Sequence, residues 1–132
     1  MHQSRGQNMV EFALTLPLCL VLLLACLDAG RLLGAYVALK NVAREGARYA
    51  SLNAGTVTIA EIQDRAVAEA YATGYSGLAR SHVEVLAPSG WSDGRSVTVR
   101  VSYPINLFTL TPFGDRTIVL RTSAEMVIIR GD

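Results

Sequence analysis

An uninterrupted apolar run near the N-terminus limits what this chain can fold into. From Phe12 to Leu27 there is no charged side chain, and only one threonine and one proline interrupt the apolar residues. As a helix, this run extends about 24 Å, less than the ~30 Å hydrocarbon core of a bilayer. Counting from Met9 lengthens the run and places Glu11 inside it. We therefore expect a transmembrane helix over residues 7–28, accommodated by bilayer thinning or snorkelling flanks.

Composition excludes several classes of function. The 132 residues carry 12 basic and 11 acidic side chains, a balance that leaves no basic excess for binding nucleic acid. Cys19 and Cys26 both lie in the apolar run on one side of a helix, so they cannot pair with each other. His2 and His82 belong to no cluster with metal-ligand spacing. With no nucleophile elbow and no phosphate loop, we expect neither an enzyme nor a cofactor.

The helix is predicted to continue beyond the membrane. Residues 28–52 contain no proline, and apolar side chains recur every three or four positions. This predicted inner face comprises Leu32, Tyr36, Leu39, Val42, Ala43, Ala47 and Ala50. Arg44 and Arg48 lie on another face, where they either meet solvent or contact another subunit. Residues 7–52 therefore predict one helix of roughly 69 Å, with a bend or a loosened turn at Pro17.

Small residues form a second stripe along the same helix. They recur in four-residue steps at Gly30, Gly34, Ala38, Gly46 and Ala50. Such a ridge lets another helix approach closely, and we assign these residues to helix packing. The alternative is that glycine and alanine are simply common in this segment.

A shorter second helix is predicted next. Thr58 and Glu61 match the S/T-x-x-E capping box, and apolar spacing continues to Thr73 before Gly74 ends the helix. The expected bounds are therefore residues 59–73.

Beyond this helix the hydrophobic period changes from 3.6 to 2. Strands are predicted over residues 82–86, 96–103 and 117–130, with a loop over residues 104–114. Short connections favour an antiparallel meander. We expect an α+β fold: a long N-terminal helix (transmembrane, then amphipathic), one short helix, and a three-stranded antiparallel sheet packed on the long helix. The loop aromatics Trp91, Phe108 and Phe113 are either edge-of-core residues or partner contacts.

A short polar leader precedes the apolar run. Arg5-Gly6 closes it, and Glu11 is the fifth residue counted from Gln7. A charged side chain in a membrane costs roughly 2.5–3.5 kcal/mol on insertion scales, so an acid at this position usually has a purpose. The alternative without a function is that residues 1–6 are a short tail that is never cleaved, and that Glu11 is an interfacial acid whose carboxylate reaches the lipid headgroups.

This arrangement resembles the class III signal of type IV prepilins. The resemblance implies that a membrane peptidase cuts between Gly6 and Gln7. It also implies that Glu11, with Phe12, sets the register of subunit assembly. Cleavage would free an ammonium at Gln7, and Glu11 of a neighbouring subunit could pair with it as helices bundle.

The order of elements resembles the TadE-like family, minor pseudopilins of the tight-adherence (Tad) pilus system. The resemblance covers about the first fifty residues and is most specific in Ala43-Arg44-Glu45-Gly46-Ala47-Arg48. Beyond residue 52 it holds only in outline, and no role transfers to Asp132. It implies a minor pilin that assists assembly of an adhesive pilus, with prepilin peptidase, other pilin subunits, an inner-membrane assembly platform and the lipid bilayer as partners.

These expectations divide the chain into a leader (1–6), a transmembrane helix (7–28) and an extracytoplasmic domain (29–132). The resemblance places it in a bacterial inner membrane as a single-pass protein, with its N-terminus cytoplasmic and its C-terminal domain periplasmic or extracellular, before any entry into a pilus. Flanking charges give this orientation only weak support. The alternative is an anchored extracytoplasmic binding domain outside any filament, including a lipoprotein cut before Cys26.

One polar pair borders the apolar run. Asp28 and Arg31 are predicted to form an i,i+3 surface ion pair that marks the outer membrane interface. Exposed pairs of this kind are usually weak, so a functional role is the minority interpretation.

Overall fold

The computed structural model describes residues 3–87, 90–109, 114 and 117–129, and of residues 3–5 only the backbone. The sequence-based statements about His2, Phe113 and Asp132 lie outside the described residues. Within them, the chain forms two α-helices followed by a three-stranded sheet. The predicted α+β architecture is confirmed.

Helix α1 (Gln3–Leu52) is a single helix of 50 residues. It continues through Pro17, which lacks only the one hydrogen-bond donor that an imino acid removes. It also begins before Gln7, so the residues predicted as a separate leader are helical from Gln3 onward. Gly6 disfavours a helix by only about 1 kcal/mol relative to alanine, which does not prevent extension of so long a helix.

Helix α2 (Ile59–Ala72) begins at the predicted capping box. The Thr58 hydroxyl accepts the Glu61 N–H at 3.3 Å, and the Glu61 carboxylate accepts the Thr58 N–H at 2.7 Å. The Thr58 hydroxyl also donates to the Glu61 carboxylate at 2.9 Å. The two bonds that the carboxylate accepts, from the Thr58 backbone N–H first and then from its hydroxyl, lower the pKa of Glu61 below its ordinary value. The helix ends just before Gly74, whose φ of 90° is the left-handed conformation that glycine adopts readily.

The sheet is an antiparallel meander in the order β1-β2-β3, as predicted. Its strands are β1 (Val83–Leu86), β2 (Ser96–Asn106) and β3 (Thr117–Val127). A 3₁₀ turn over Arg80–His82 precedes β1, so His82 lies in that turn and not in the predicted strand.

Strand β2 is longer than its sequence predicted. The predicted loop began at Pro104, but the strand continues to Asn106, and Pro104 pairs with Val119 of β3. β1 pairs only with residues 98–101, so β2 is an edge strand at Pro104 on that side. Proline, which has no N–H to donate, is tolerated in strands where one edge is unpaired.

Strand β3 is shorter than predicted. It ends at Val127, and Ile128 leaves the ladder while its N–H still bonds the Arg95 carbonyl at 2.7 Å. The predicted last residue, Arg130, lies outside the described part of the chain.

The core lies between the outer half of α1, helix α2 and one face of the sheet. Val97, Val99 and Val101 of β2 are fully buried, which confirms the predicted alternation. The α1 residues fully buried in this core are Leu39, Val42, Ala43, Ala47 and Ala50. Of the predicted inner face, Tyr36 is exposed and Leu32 half-buried, because the sheet and α2 cover α1 mainly beyond residue 38.

Gly46 sits where these three layers meet. A Cβ atom there would lie 3.3 Å from Val99 Cγ1 and 3.4 Å from Ala66 Cβ. The absence of a side chain therefore lets α1 approach both β2 and α2. At Gly34, by contrast, a Cβ atom would meet nothing within 4 Å.

Leucine at these two glycines should have opposite effects on stability. Gly46→Leu overpacks the contact with Val99 and Ala66 and should lower the free energy of unfolding by about 1–3 kcal/mol. At Gly34 the Cβ atom of leucine would meet no atom within 4 Å, so Gly34→Leu should match or exceed the free energy of unfolding of the native chain, since leucine favours helix by up to about 1 kcal/mol over glycine. Thermal unfolding of the detergent-solubilised full chain, followed by circular dichroism, measures both. Equal effects of the two substitutions would contradict this packing role for Gly46.

Candidate functional site

The inner half of α1 exposes apolar side chains on every side. From Gly6 to Leu27 every described side chain is exposed except half-buried Leu24. Phe12, one of the predicted assembly residues, is 66% exposed. Within the described part of the chain, one helical stretch, Gly6–Leu52, is long and apolar enough to cross a membrane by length and composition. A surface of this kind is stable in lipid or against other apolar helices, and it indicates a single-pass membrane anchor.

Glu11 lies within this exposed apolar surface. Its backbone carbonyl accepts the Thr15 hydroxyl at 2.7 Å, a bond within one helical turn. Its carboxylate has no hydrogen-bond or ion-pair partner among the described residues. Gln7 lies one turn before it, about 6 Å along the axis on the same face. The Glu11 carboxylate is therefore free to bind a group from another molecule, or an ammonium at Gln7 if the chain were cleaved before that residue.

The stripe of small residues does not stay on one face of α1. Four-residue steps advance about 40° per step, so Gly30 and Ala50 point about 160° apart. Gly46 and Ala50 are buried in the chain's own core. Ala38 is half-buried, whereas Gly30 and Gly34 are exposed, and a Cβ atom added at either would meet no atom within 4 Å. Of the stripe, these last two glycines alone are open to a helix of another chain.

A shallow groove runs beside Gly34. It has a volume of about 450 Å³, and its other wall is formed by residues 103–106 of β2 and by Tyr75. The groove places the outward-facing glycine next to a strand surface rather than next to bare solvent. A partner helix that approached α1 at Gly34 would therefore also meet β2.

Asp28 lies where α1 leaves the apolar run, and it is 4% exposed. Its Oδ1 atom accepts the Phe108 N–H at 3.0 Å, and its Oδ2 atom accepts the Thr109 N–H at 2.8 Å. The Thr109 hydroxyl donates a third bond, of 2.7 Å, to Oδ2. The carboxylate therefore holds the loop after β2 against α1. We call Asp28, Arg31, Asn106, Phe108 and Thr109 the junction.

Arg31 completes the junction. Its Nη1 atom lies 3.3 Å from Asp28 Oδ1 and donates to the Asn106 carbonyl at 3.2 Å. Its guanidinium carbon lies 4.1 Å from the centre of the Phe108 ring, within cation–π range. The predicted ion pair thus exists, but its description as a surface pair was wrong for Asp28. The partners that bury Asp28 lie about 80 residues later in sequence, and no local pattern indicates them.

Trp91 and Phe108, the two predicted loop aromatics within the described residues, differ in burial. Trp91 is half-buried against the edge of the core, whereas Phe108 is 51% exposed and packs on Arg31. Trp91 is therefore an edge-of-core residue, whereas a partner contact at Phe108 stays a prediction.

Metal-ligating side chains do not gather in groups of three among the described residues. Among residues 3–87, 90–109, 114 and 117–129, no group of three or more His, Cys, Asp or Glu side chains could hold a metal ion. Cys19 and Cys26 are free thiols on the exposed part of α1. The main features of the described residues are the exposed apolar half of α1, the groove beside Gly34 and the junction.

Comparison with known proteins finds a family for part of α1. Residues 6–48, about a third of the chain, match a family model described as TadE-like protein. This segment is TadE-like. No curated protein and no solved structure matches the chain. The TadE-like segment begins at Gly6 and includes the exposed apolar half of α1, Asp28 and Gly46.

Residues 43–48 of the TadE-like segment attach α1 to the rest of the domain. Ala43, Gly46 and Ala47 are buried against the sheet and α2. Glu45 binds Arg65 of α2, with 2.9 Å between its Oε1 and Nη2. This contact also raises the pKa of Arg65 above its ordinary value.

The two arginines among residues 43–48 make fewer contacts with the rest of the chain. Arg48 is exposed and lies 3.7 Å from Glu45, and Arg44 is exposed. The motif therefore attaches α2 to α1 through its small residues and its glutamate.

Asp28→Asn should release the loop from α1. Both carboxylate oxygens accept N–H groups, so the new amide nitrogen would face a donor in place of an acceptor. Hydrogen exchange at the amides of Phe108 and Thr109 should accelerate by roughly tenfold or more in the detergent-solubilised full chain.

Asp64→Asn is the matched control. Asp64 forms an exposed ion pair with Arg80 that includes no residue of the junction, and its replacement should leave exchange at residues 108 and 109 unchanged. If Asp28→Asn also left that exchange unchanged, Asp28 would not hold the loop.

Proposed function

We propose that this protein is a minor pilin or pseudopilin that assists assembly of a Tad-type pilus for surface adhesion. The observation that carries the proposal is the TadE-like match over residues 6–48. The match starts at the glycine of the proposed cleavage site and spans the exposed apolar helix. Non-enzymatic function fits this assignment, because the chain would be a substrate of the peptidase and a structural subunit.

The proposed first step is storage in the membrane followed by cleavage. Residues 7–28 hold the chain in the bacterial inner membrane, with its N-terminus cytoplasmic and the domain of residues 29–132 outside. Prepilin peptidase then cuts between Gly6 and Gln7. The helix extends through Gly6, so this turn must unwind in the peptidase site. Unwinding is favoured at a helix end and at glycine, which has low helix propensity.

The proposed second step is bundling of like helices. Cleavage frees an ammonium at Gln7 within an apolar surface that also carries Glu11. Two opposite charges that are unfavourable apart in lipid become favourable together, and their pairing between neighbours fixes the axial register. Phe12 and the outward-facing Gly30 and Gly34 lie on the helix surfaces that bundling would cover.

The ammonium also has a partner within its own chain. Gln7 and Glu11 are four residues apart on one face, so a pair within one chain competes with a pair between chains. Neighbouring helices favour the pair between chains, because van der Waals packing between the helices adds to the attraction of the two charges. Other pilin subunits and the inner-membrane assembly platform are the partners that this mechanism requires.

The processed chain should start at Gln7. Mass spectrometry of the membrane fraction from cells with prepilin peptidase should find this N-terminus, and cells without the peptidase should retain the leader. Gly6→Ile should also retain it, because a branched side chain hinders the backbone that the peptidase must reach.

Two results would count against this processing. A chain that keeps the leader in the presence of the peptidase would contradict the prepilin proposal. A lipid-modified chain that begins at Cys26 would establish the lipoprotein alternative instead.

Glu11→Ala should separate cleavage from assembly. The N-terminus at Gln7 should still form, because the acid lies beyond the cut bond, whereas the number of pili per cell should fall. Pili counted by electron microscopy provide the measurement, and Glu125→Ala, an exposed acid on β3, is the control that should leave piliation unchanged. Normal piliation with Glu11→Ala would refute the register mechanism.

A further inference from the structure

We propose that the junction is a second membrane contact, in which Phe108 and Arg31 bind the lipid headgroup layer beside the point where α1 leaves the bilayer. This inference rests on the proposed membrane anchor and adds a surface of the folded domain to it. The partner is a phospholipid surface, with the phenyl ring at the acyl boundary and the guanidinium at the phosphates.

The junction lies along α1 at the level expected for the lipid headgroups. Asp28 directly follows the last residue of the apolar run, about 1.5 Å along the axis, and Arg31 lies about 4.5 Å further out. The headgroup layer is roughly 5–8 Å thick on each side of the hydrocarbon core. If Leu27 marks the end of the hydrocarbon, both side chains fall within that layer.

The loop after β2 is fixed at the same level. Asp28 accepts the N–H groups of Phe108 and Thr109 at 3.0 and 2.8 Å, so these residues cannot lie far above it. The Asp28 charge is also fully hydrogen-bonded by these groups, which a carboxylate beside a low-dielectric medium requires. The tertiary fold therefore brings an aromatic residue from 80 positions away to the proposed membrane surface.

The side chains that the junction exposes are of types that bind lipid. Phe108 is 51% exposed, and the Arg31 side chain is 44% exposed. The hydrogen bonds that described residues make with Arg31 use its Nη1, which leaves Nε and Nη2 for phosphate oxygens. Surfaces that lie in the membrane interface combine apolar side chains such as phenylalanine at the acyl boundary with basic side chains that reach the headgroups.

The short apolar run strengthens this assignment. At about 24 Å it falls below the ~30 Å hydrocarbon core, so residues just beyond its ends are drawn toward the lipid. Because Asp28 offsets the charge of Arg31, we expect contact with zwitterionic as well as anionic headgroups. The contact would fix how the domain is oriented over the membrane, since α1 and the loop meet the same surface at two points.

Single-tryptophan variants of the full chain test this contact. The chain has one tryptophan, Trp91, so the reporters Phe108→Trp, Leu20→Trp and Val127→Trp are each placed on a Trp91→Phe background. Leu20 lies near the middle of the apolar run, and exposed Val127 lies at the opposite end of the sheet. Each variant is reconstituted in phosphatidylcholine vesicles, with and without phosphatidylglycerol, and quenched by lipids brominated at shallow or deep positions.

We expect Phe108→Trp to emit at shorter wavelengths than Val127→Trp and to be quenched more by shallow than by deep bromine. Leu20→Trp should show the reverse depth preference, and Val127→Trp should respond only to iodide in the water. Adding Asp28→Asn should shift Phe108→Trp toward the behaviour of Val127→Trp, because the loop is then released.

The outcomes distinguish this inference from the anchor on which it rests. Quenching of Leu20→Trp without quenching of Phe108→Trp would overturn the second contact and leave the anchor in place. A Phe108→Trp reporter that is shielded from both iodide and bromolipids would assign the surface to a neighbouring protein, which also overturns it. Absence of quenching at Leu20→Trp would refute the anchor itself.

Discussion

Close packing between the outer half of α1 and the rest of the domain is the contact on which the other elements depend. Ala43, Gly46 and Ala47 bring the helix axis near the sheet and α2, and Gly46 leaves no room for a methyl group without movement of Val99 or Ala66. The small size of these side chains lets one helix serve two environments. Its outer half contributes a face of small side chains to a protein core. Its inner half exposes bulky apolar side chains that suit lipid.

The junction connects these two halves. A carboxylate directly after an apolar run would be costly if it lacked donors, and here the backbone of residues 108 and 109, a hydroxyl and a guanidinium supply them. The domain is thus attached to α1 both by its core and by a polar contact at the inner end of the sheet. This second attachment fixes the orientation of the folded domain relative to the proposed membrane anchor.

Local patterns in the sequence were sufficient for most of the elements. The capping box at Thr58 and Glu61, the alternation around Val99 and the glycine at position 74 each predicted a feature that the structure has, because each depends on neighbours within a few residues. The errors came at strand ends. The local pattern predicts a loop from Pro104, but Pro104 pairs with Val119 of β3. Proline is compatible with a strand only where one edge is unpaired, and how far β1 extends along β2 depends on the sheet topology rather than on neighbouring residues.

The sequence by itself determined the long helix, its apolar inner half, the position of Glu11 and the resemblance to TadE-like proteins, all of which are written in contiguous residues. Tertiary structure decided that the stripe of small residues divides, with Gly46 inside the core and Gly34 outside it, because a four-residue repeat rotates around a helix of about 3.6 residues per turn. It also decided that Asp28 is a buried acceptor. The donors that bury it come from a loop about 80 residues away, and only folding brings them together.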